Sequence, residues 1–231
     1  LTTNTEKDKT TIQNFILMKN IINIPDKISP ETNSITNDSM PLFIWSKINN
    51  AIAYDIEVAV DSEFKNNVFT KEVYNTFYKH NDFLVNGKYF WRIRAIGSLS
   101  NQFSNWSSIG TVIIDYINPQ SPQLIYPINN IKVENIPIYF QWIKLEDTLY
   151  FDLEIHNTNK FDNLLFQKNN INDSTYLFSN TIVDTGIYWW RLRCRDSAIN
   201  YSEWRMNNFY FLKVDTSIYI QSPTLELPDD N

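Results

Sequence analysis

Tyr89-Phe90-Trp91-Arg92-Ile93-Arg94-Ala95 is answered 99 residues later (188 minus 89) by Tyr188-Trp189-Trp190-Arg191-Leu192-Arg193-Cys194. In each copy, apolar side chains stand at every second position with arginines between them. Successive side chains of a strand point to opposite faces, so a period of two describes a strand with one face in a core and one face wet. The chain therefore reads as two copies of one β module.

The duplication extends to both sides of that strand. Pro30 matches Pro127, Phe43 matches Phe140, and Asp55-Ile56-Glu57-Val58 matches Asp152-Leu153-Glu154-Ile155, all at an offset of 97 (127 minus 30). Phe64 with Phe161 and Phe69 with Phe166 keep the same offset. Further on, Gly87 pairs with Gly186 and Ser104-Asn105-Trp106 with Ser202-Glu203-Trp204, and the last strand is expected to match Thr111–Asp115 with Phe211–Asp215. Register held over so many positions marks an internal repeat. In the first module, alternation predicts strands at 25–30, 42–48, 53–60, 68–73, 77–84, 89–96 and 109–115. Seven short strands separated by turn signals, with no helical period, predict an all-β chain of two tandem seven-stranded antiparallel sandwiches. The chain has only four glycines. Its turns are assigned to asparagine pairs, Asn49-Asn50, Asn66-Asn67, Asn129-Asn130, Asn169-Asn170 and Asn207-Asn208, because Asn tolerates positive φ.

Length and composition agree with two domains. At 231 residues and 43% hydrophobic, the chain can bury two cores. The expected organisation is a segment 1–23 that is polar and then apolar, module 1 over 24–117, module 2 over 118–216, and a linker or first strand of a third module over 217–231. The apolar stretch 12–24 reads as an element packed on module 1 or as a strand that pairs with a neighbouring subunit's sheet edge. The link at 115–122 is short and proline-stiffened, which predicts a semi-rigid rod.

A net charge of -6 leaves no basic field for nucleic acid or anionic lipid. There is no apolar run of transmembrane length, so neither nucleic acid nor membrane insertion is expected. The single cysteine, Cys194, excludes an internal disulfide framework, and His80 and His156 lack metal-ligand spacing. No Gly-rich phosphate loop or Ser/His/Asp set is present, so no cofactor, metal or catalytic residue is expected.

The ordered set of marks resembles fibronectin type III domains of bacterial surface or secreted multi-domain proteins. It comprises Phe43-x-Trp45 and Gln141-Trp142, Tyr54-x-Ile56-x-Val58, the approach Leu84-Val85-Asn86-Gly87-Lys88-Tyr89, Trp91-Arg92-Ile93-Arg94-Ala95 and a following Ser-x-Trp. Module 2 departs from it with Cys194 in place of the usual alanine. The resemblance implies an immunoglobulin-like sandwich in which Tyr89 and Tyr188 are tyrosine corners and the third strand lies beside the sixth. The outward arginines Arg92 and Arg94, and Arg191 and Arg193, then face Asp55 and Glu57, and Asp152 and Glu154. Trp106 and Trp204 are placed to stack over them. These ten residues are expected to form a structural cross-strand layer. Two other readings, an anion site on the arginine pairs and a glycosidase-like carboxylate pair, rank below it, because adjacent arginines hold carboxylates ionised. Together these features predict a non-catalytic spacer and protein-interaction module of an extracytoplasmic assembly, whose partners are neighbouring modules or subunits. The alternatives are an adhesin or carbohydrate-recognition segment, and an accessory region of a secreted hydrolase.

Overall fold

The computed structural model describes residues 22–214, apart from Ser100, Asn135, Glu146, Asp147 and Leu149. The polar start of the chain, most of the apolar stretch 12–24 and the linker or first strand expected over 217–231 lie outside the described residues. The chain separates into two compact units divided between Asn118 and Pro119, Ser197–Asn200 excepted. All described regular structure is strand.

Module 1 contains β1 (Lys27–Ser29), β2 (Ser34–Thr36), β3 (Leu42–Trp45), β4 (Ala51–Ala59), β5 (Asn67–Val73), β6 (Phe77–Lys79), β7 (Gly87–Gly97) and β8 (Gly110–Ile114). They form two sheets, β1-β3-β6 and β2-β8-β7-β4-β5. Module 2 repeats the plan with β9 (Gln123–Tyr126), β10 (Ile131–Val133), β11 (Ile138–Ile143), β12 (Tyr150–His156), β13 (Leu164–Ile171), β14 (Thr175–Phe178), β15 (Gly186–Arg195) and β16 (Arg205–Phe211). Its sheets are β14-β11-β9 and β10-β16-β15-β12-β13.

Each module thus has eight strands where seven were expected, because the first is split between the sheets. β1 pairs antiparallel with β3, whereas β2 pairs parallel with β8. Pro30 lies between them and has no N–H to continue a ladder, so the first sheet's pairing stops there. Pro127 stands at the same place between β9 and β10. Three-residue strands such as Ser34–Thr36 are too short to show alternation, which is why the sequence reading passed over them.

The last strand of module 2 also differs from expectation. Tyr89 stands opposite Val112 and Tyr188 opposite Phe209, while Gly87 faces Ile114 and Gly186 faces Phe211. Val112 therefore corresponds to Phe209 at the common offset of 97 (209 minus 112), and β16 is Arg205–Phe211 rather than 211–215. An aliphatic run followed by Asp in both modules had suggested the wrong match; cross-strand partners set the register.

The shared core follows from that alignment. Phe43 and Phe140, Ile56 and Leu153, Trp91 and Trp190, and Ile93 and Leu192 are all fully buried. Phe43 meets Trp91 edge-on at 5.2 Å and Phe140 meets Trp190 at 4.9 Å. Cys194 is buried, with its sulfur 3.3 Å from the Gln120 carbonyl oxygen. Of the asparagine pairs, Asn50, Asn129, Asn130 and Asn170 take positive φ. Neither Asn169-Asn170 nor Asn207-Asn208 is a turn: the first lies within β13, and the second lies within β16, where its side-chain oxygens accept the backbone N–H groups of Asn129 and Asn130 at 2.8 and 2.9 Å.

Candidate functional site

The most elaborate polar constellation lies on the outer face of each five-stranded sheet. β4 and β7 place Asp55 opposite Arg94 and Glu57 opposite Arg92. β12 and β15 place Asp152 opposite Arg193 and Glu154 opposite Arg191. Every arginine turns one edge of its guanidinium onto a single carboxylate oxygen. Arg92 reaches Glu57 Oε2 at 2.7 Å through Nε and 2.6 Å through Nη2, and Arg94 reaches Asp55 Oδ2 at 2.9 and 2.8 Å. Arg191 reaches Glu154 Oε2 at 2.7 Å through both nitrogens, and Arg193 reaches Asp152 Oδ2 at 3.1 Å through both.

A guanidinium gripped at its edge keeps its planar faces available for rings. Trp106 uses them: its ring centroid is 4.4 Å from Arg92 Cζ and 4.6 Å from Arg94 Cζ. Trp204 lies 4.4 Å from Arg191 and 4.7 Å from Arg193. One indole reaches both cations because they stand two residues apart on one strand face, roughly 7 Å. The structure thus brings together Asp55, Glu57, Arg92, Arg94 and Trp106, and separately Asp152, Glu154, Arg191, Arg193 and Trp204.

Trp106 does not start the last strand; it belongs to the segment that approaches it, and serines hold that segment. The Ser104 hydroxyl accepts the Ala95 N–H at 2.9 Å, and the Ser107 hydroxyl accepts the Ile93 N–H at 3.2 Å. Ser202 accepts the Cys194 N–H at 3.0 Å in module 2. Buried serines take over ladder positions from the backbone, which fixes where each tryptophan emerges.

Two further rungs per module were not anticipated. Phe64 lies 4.0 Å from Arg92 and Phe103 lies 4.2 Å from Arg94. In module 2, Phe161 is 4.7 Å from Arg191 and Tyr201 is 4.1 Å from Arg193. The order of contact is therefore ring, arginine, tryptophan, arginine, ring. Both Phe64 and Phe161 adopt positive φ, 57° in each case, uncommon for an aromatic residue. Their duplication in sequence was the available signal. The turn that presents Phe64 is closed by Asp61, whose carboxylate accepts the N–H groups of Glu63, Lys65 and Asn66 at 3.0, 3.1 and 2.7 Å. Those hydrogen bonds, Lys65 foremost, hold the Asp61 carboxyl below its ordinary range.

The Tyr89 hydroxyl donates to the Val85 carbonyl at 2.8 Å and that of Tyr188 to the Asp184 carbonyl at 2.9 Å, each four residues upstream. Burial pushes both phenols up. Module 2 adds one buried histidine: His156 Nε2 lies 3.2 Å from Glu154 Oε2, and its ring meets Phe161 edge-on at 4.9 Å. A groove of about 470 Å³ runs beside Trp204 and is lined by Gln123, Leu124, Arg205, Met206 and Asn207. Among the described residues, no group of three or more His, Cys, Asp or Glu side chains could hold a metal ion. No helix among them is long and apolar enough to cross a membrane.

No family model and no curated protein matches the sequence. Solved structures do match the fold. The fibronectin(III)-like modules of Clostridium thermocellum CbhA superimpose with a TM-score of 0.53 at 10% identity, covering 87% of this chain and 100% of that one. The FN1-FN3 domains of chicken CNTN1 superimpose with a TM-score of 0.55 at 14% identity, covering 81% of this chain and 66% of that one. With two sheet pairs of matching order and these structural neighbours, the chain is, in fold, a tandem of fibronectin type III-like domains.

Proposed function

We propose that this chain is a non-catalytic spacer and protein-interaction unit of an extracytoplasmic assembly. The observation that carries the reading is the duplicated ladder. In both modules the acids of the outer sheet face are neutralised by arginine edges and the arginine faces are covered by rings. A carboxylate oxygen that accepts two guanidinium N–H groups is turned into the sheet face rather than toward a substrate, and a guanidinium so covered has little left for an external anion. The ladder therefore acts as an internal clasp, and Asp55, Glu57, Arg92, Arg94, Trp106, Asp152, Glu154, Arg191, Arg193 and Trp204 serve the fold. Contact falls to other surfaces. Tyr74 and Phe83 are 75% and 74% exposed and Phe77 is half exposed, which suits aromatic anchors in a protein interface.

The test is cross-linking in the source cells through exposed lysines such as Lys65, Lys71 and Lys79, followed by mass spectrometry. Cross-links to secreted or envelope proteins are expected; cross-links confined to cytoplasmic proteins overturn the placement. Hydrolysis of a glycoside that disappears in Glu57→Gln or Glu154→Gln would overturn the non-catalytic reading.

A second reading, carbohydrate recognition, is favoured by the groove where Trp204 borders Gln123, Arg205 and Asn207. An indole edge beside amide and guanidinium donors suits sugar hydroxyls. A glycan panel that gives no binding at millimolar sugar removes it. The third possibility, an accessory region of a secreted hydrolase, rests on the family resemblance, and a catalytic domain in the same polypeptide would establish it.

A further inference from the structure

The first strand of each module changes sheet, and the crossing leaves a seam beside the first half of the last strand. β2 pairs with β8 only over Val112–Ile114, and β10 pairs with β16 only over Phe209–Phe211. Among the described residues, no strand pairs with Arg205–Asn207 on the side away from β15, and β9 stands at the end of its own sheet. An unpaired strand edge is a template for a further extended chain.

The two seams are filled differently. Trp91 stands opposite Gly110 and Trp190 opposite Asn207, while Lys27 stands opposite Trp45 and Leu124 opposite Trp142. Leu124 therefore takes the place of Lys27, Asn207 that of Gly110, and Arg205, two residues ahead of Asn207, that of Ser108. In module 1 the seam is bolted. Lys27 Nζ donates to the Ser108 carbonyl at 2.6 Å and to its hydroxyl at 2.8 Å, and lies 5.9 Å from the centre of the Trp91 ring. Gly110 makes room for this bolt, since a Cβ there would stand 2.8 Å from Lys27 Cε and 2.5 Å from Trp91 Nε1. Burial pushes the Lys27 amine below its ordinary range.

Module 2 replaces every part of the bolt. Leu124 has no amine to donate, and Trp190 gives its indole N–H to the Pro127 carbonyl. The seam is instead the groove of about 470 Å³ between Gln123-Leu124 and Arg205–Asn207, and a second groove of about 350 Å³ continues from Gln123 and Arg205 to Gln120 and Ser121. Arg205 is the one charged side chain lining either groove, and Glu203 lines neither. Arg205 is exposed, and among the described residues no ion pair joins it to an acid. Met206 adds an apolar wall that is 52% exposed. A strand edge, a guanidinium without an acid and the amides of Gln123 and Asn207 together suit an extended chain that carries a carboxylate.

We infer that the open seam of module 2 is a docking site for an extended acidic segment of a partner protein, added as a strand along Arg205–Asn207 with its carboxylate on the Arg205 guanidinium. The inference rests on the protein-interaction reading and names its surface. Main-chain pairing supplies affinity with little sequence preference, and the Arg205 ion pair selects the acid. Module 1, bolted by Lys27, offers no equivalent place.

The test selects displayed random heptapeptides on the 231-residue chain and measures the enriched peptides by fluorescence anisotropy. These peptides are expected to carry Asp or Glu within a period-two apolar pattern, and Arg205→Glu is expected to weaken their binding by about tenfold or more. The combined variant Leu124→Lys, Arg205→Ser and Asn207→Gly copies the bolt of module 1 and is expected to abolish binding, with amide protection of β15 showing that module 2 stays folded. Peptide binding should also slow amide exchange at Arg205–Asn207, a readout that needs no variant. Binding that survives Arg205→Glu, or protection gained elsewhere, overturns the inference and leaves the protein-interaction reading standing. Selection of no peptide overturns it, as does a glycan panel in which a sugar takes the groove and is lost in Arg205→Glu. The in-cell cross-links decide the wider reading separately.

Discussion

The two modules solve one packing problem with the same strand and different surroundings. Glu57 holds Arg92, and the residue two positions on is Ala59; Glu154 holds Arg191 and also His156. Asp61 closes the turn that presents Phe64, whereas in module 2 Thr158 stands there and donates its hydroxyl to Asp162 at 2.6 Å. Module 2 has a further cation–ring contact, Arg195 on Tyr150 at 4.9 Å, where module 1 has Ile96 and Ala53. Trp190 donates its indole N–H to the Pro127 carbonyl at 2.7 Å, while the Trp91 indole N–H is buried without an acceptor among the described residues. What is shared is the geometry of acid, arginine and tryptophan across neighbouring strands. What varies is the support at its ends.

The comparison can be tested most strongly at the acids. Glu154→Ala leaves two partners stranded and is expected to destabilise module 2 by about 2–3 kcal/mol, against about 1–2 kcal/mol for Glu57→Ala in module 1. Urea unfolding of both variants checks this, and equal losses would mean that His156 adds nothing to the clasp. Arg92→Ala removes an ion pair and two ring contacts together, and a loss of about 1–3 kcal/mol is expected in the same assay. An unchanged midpoint would reduce the ladder to an ornament of the surface.

Smaller effects are expected at the corners and the turn. Tyr89→Phe deletes one hydrogen bond to Val85 and should lower stability by about 1 kcal/mol, as should Tyr188→Phe at Asp184. Asp61 supplies the pH-dependent difference. Its folded pKa lies below the ordinary 3.8, so its contribution is complete above 3.8 and is lost as the pH falls through the folded value. Acid titration from about pH 5 to about pH 2 should therefore weaken the Asp61 turn, and Asp61→Asn should abolish that dependence. Amide exchange at Lys65 and Asn66 reads it directly.

Much of the site was legible before the fold was seen. The period of two in Tyr89–Ala95 places Arg92 and Arg94 on the face opposite Trp91 and Ile93, and the same period places Asp55 and Glu57 opposite Ile56 and Val58. Once those strands are neighbours, the charges must meet. Phe64, Phe103, Phe161 and Tyr201 were not legible as rungs, because each reaches the ladder from a turn or irregular segment outside the named strands. The split first strand and the place of Asn207-Asn208 were hidden for a related reason: neither leaves a periodic trace.

The amino-acid sequence by itself determined the two-module plan and the inward and outward faces of the long strands. These depend on side-chain alternation and spacing, which a linear chain displays. Only the tertiary structure decided which residues complete the ladder, where the first strand changes sheet, and that Phe209 rather than Leu212 faces Tyr188 in the place of Val112. Those choices depend on which backbone groups find hydrogen-bond partners across the sheets, and such pairing exists only once strands distant in sequence have come together.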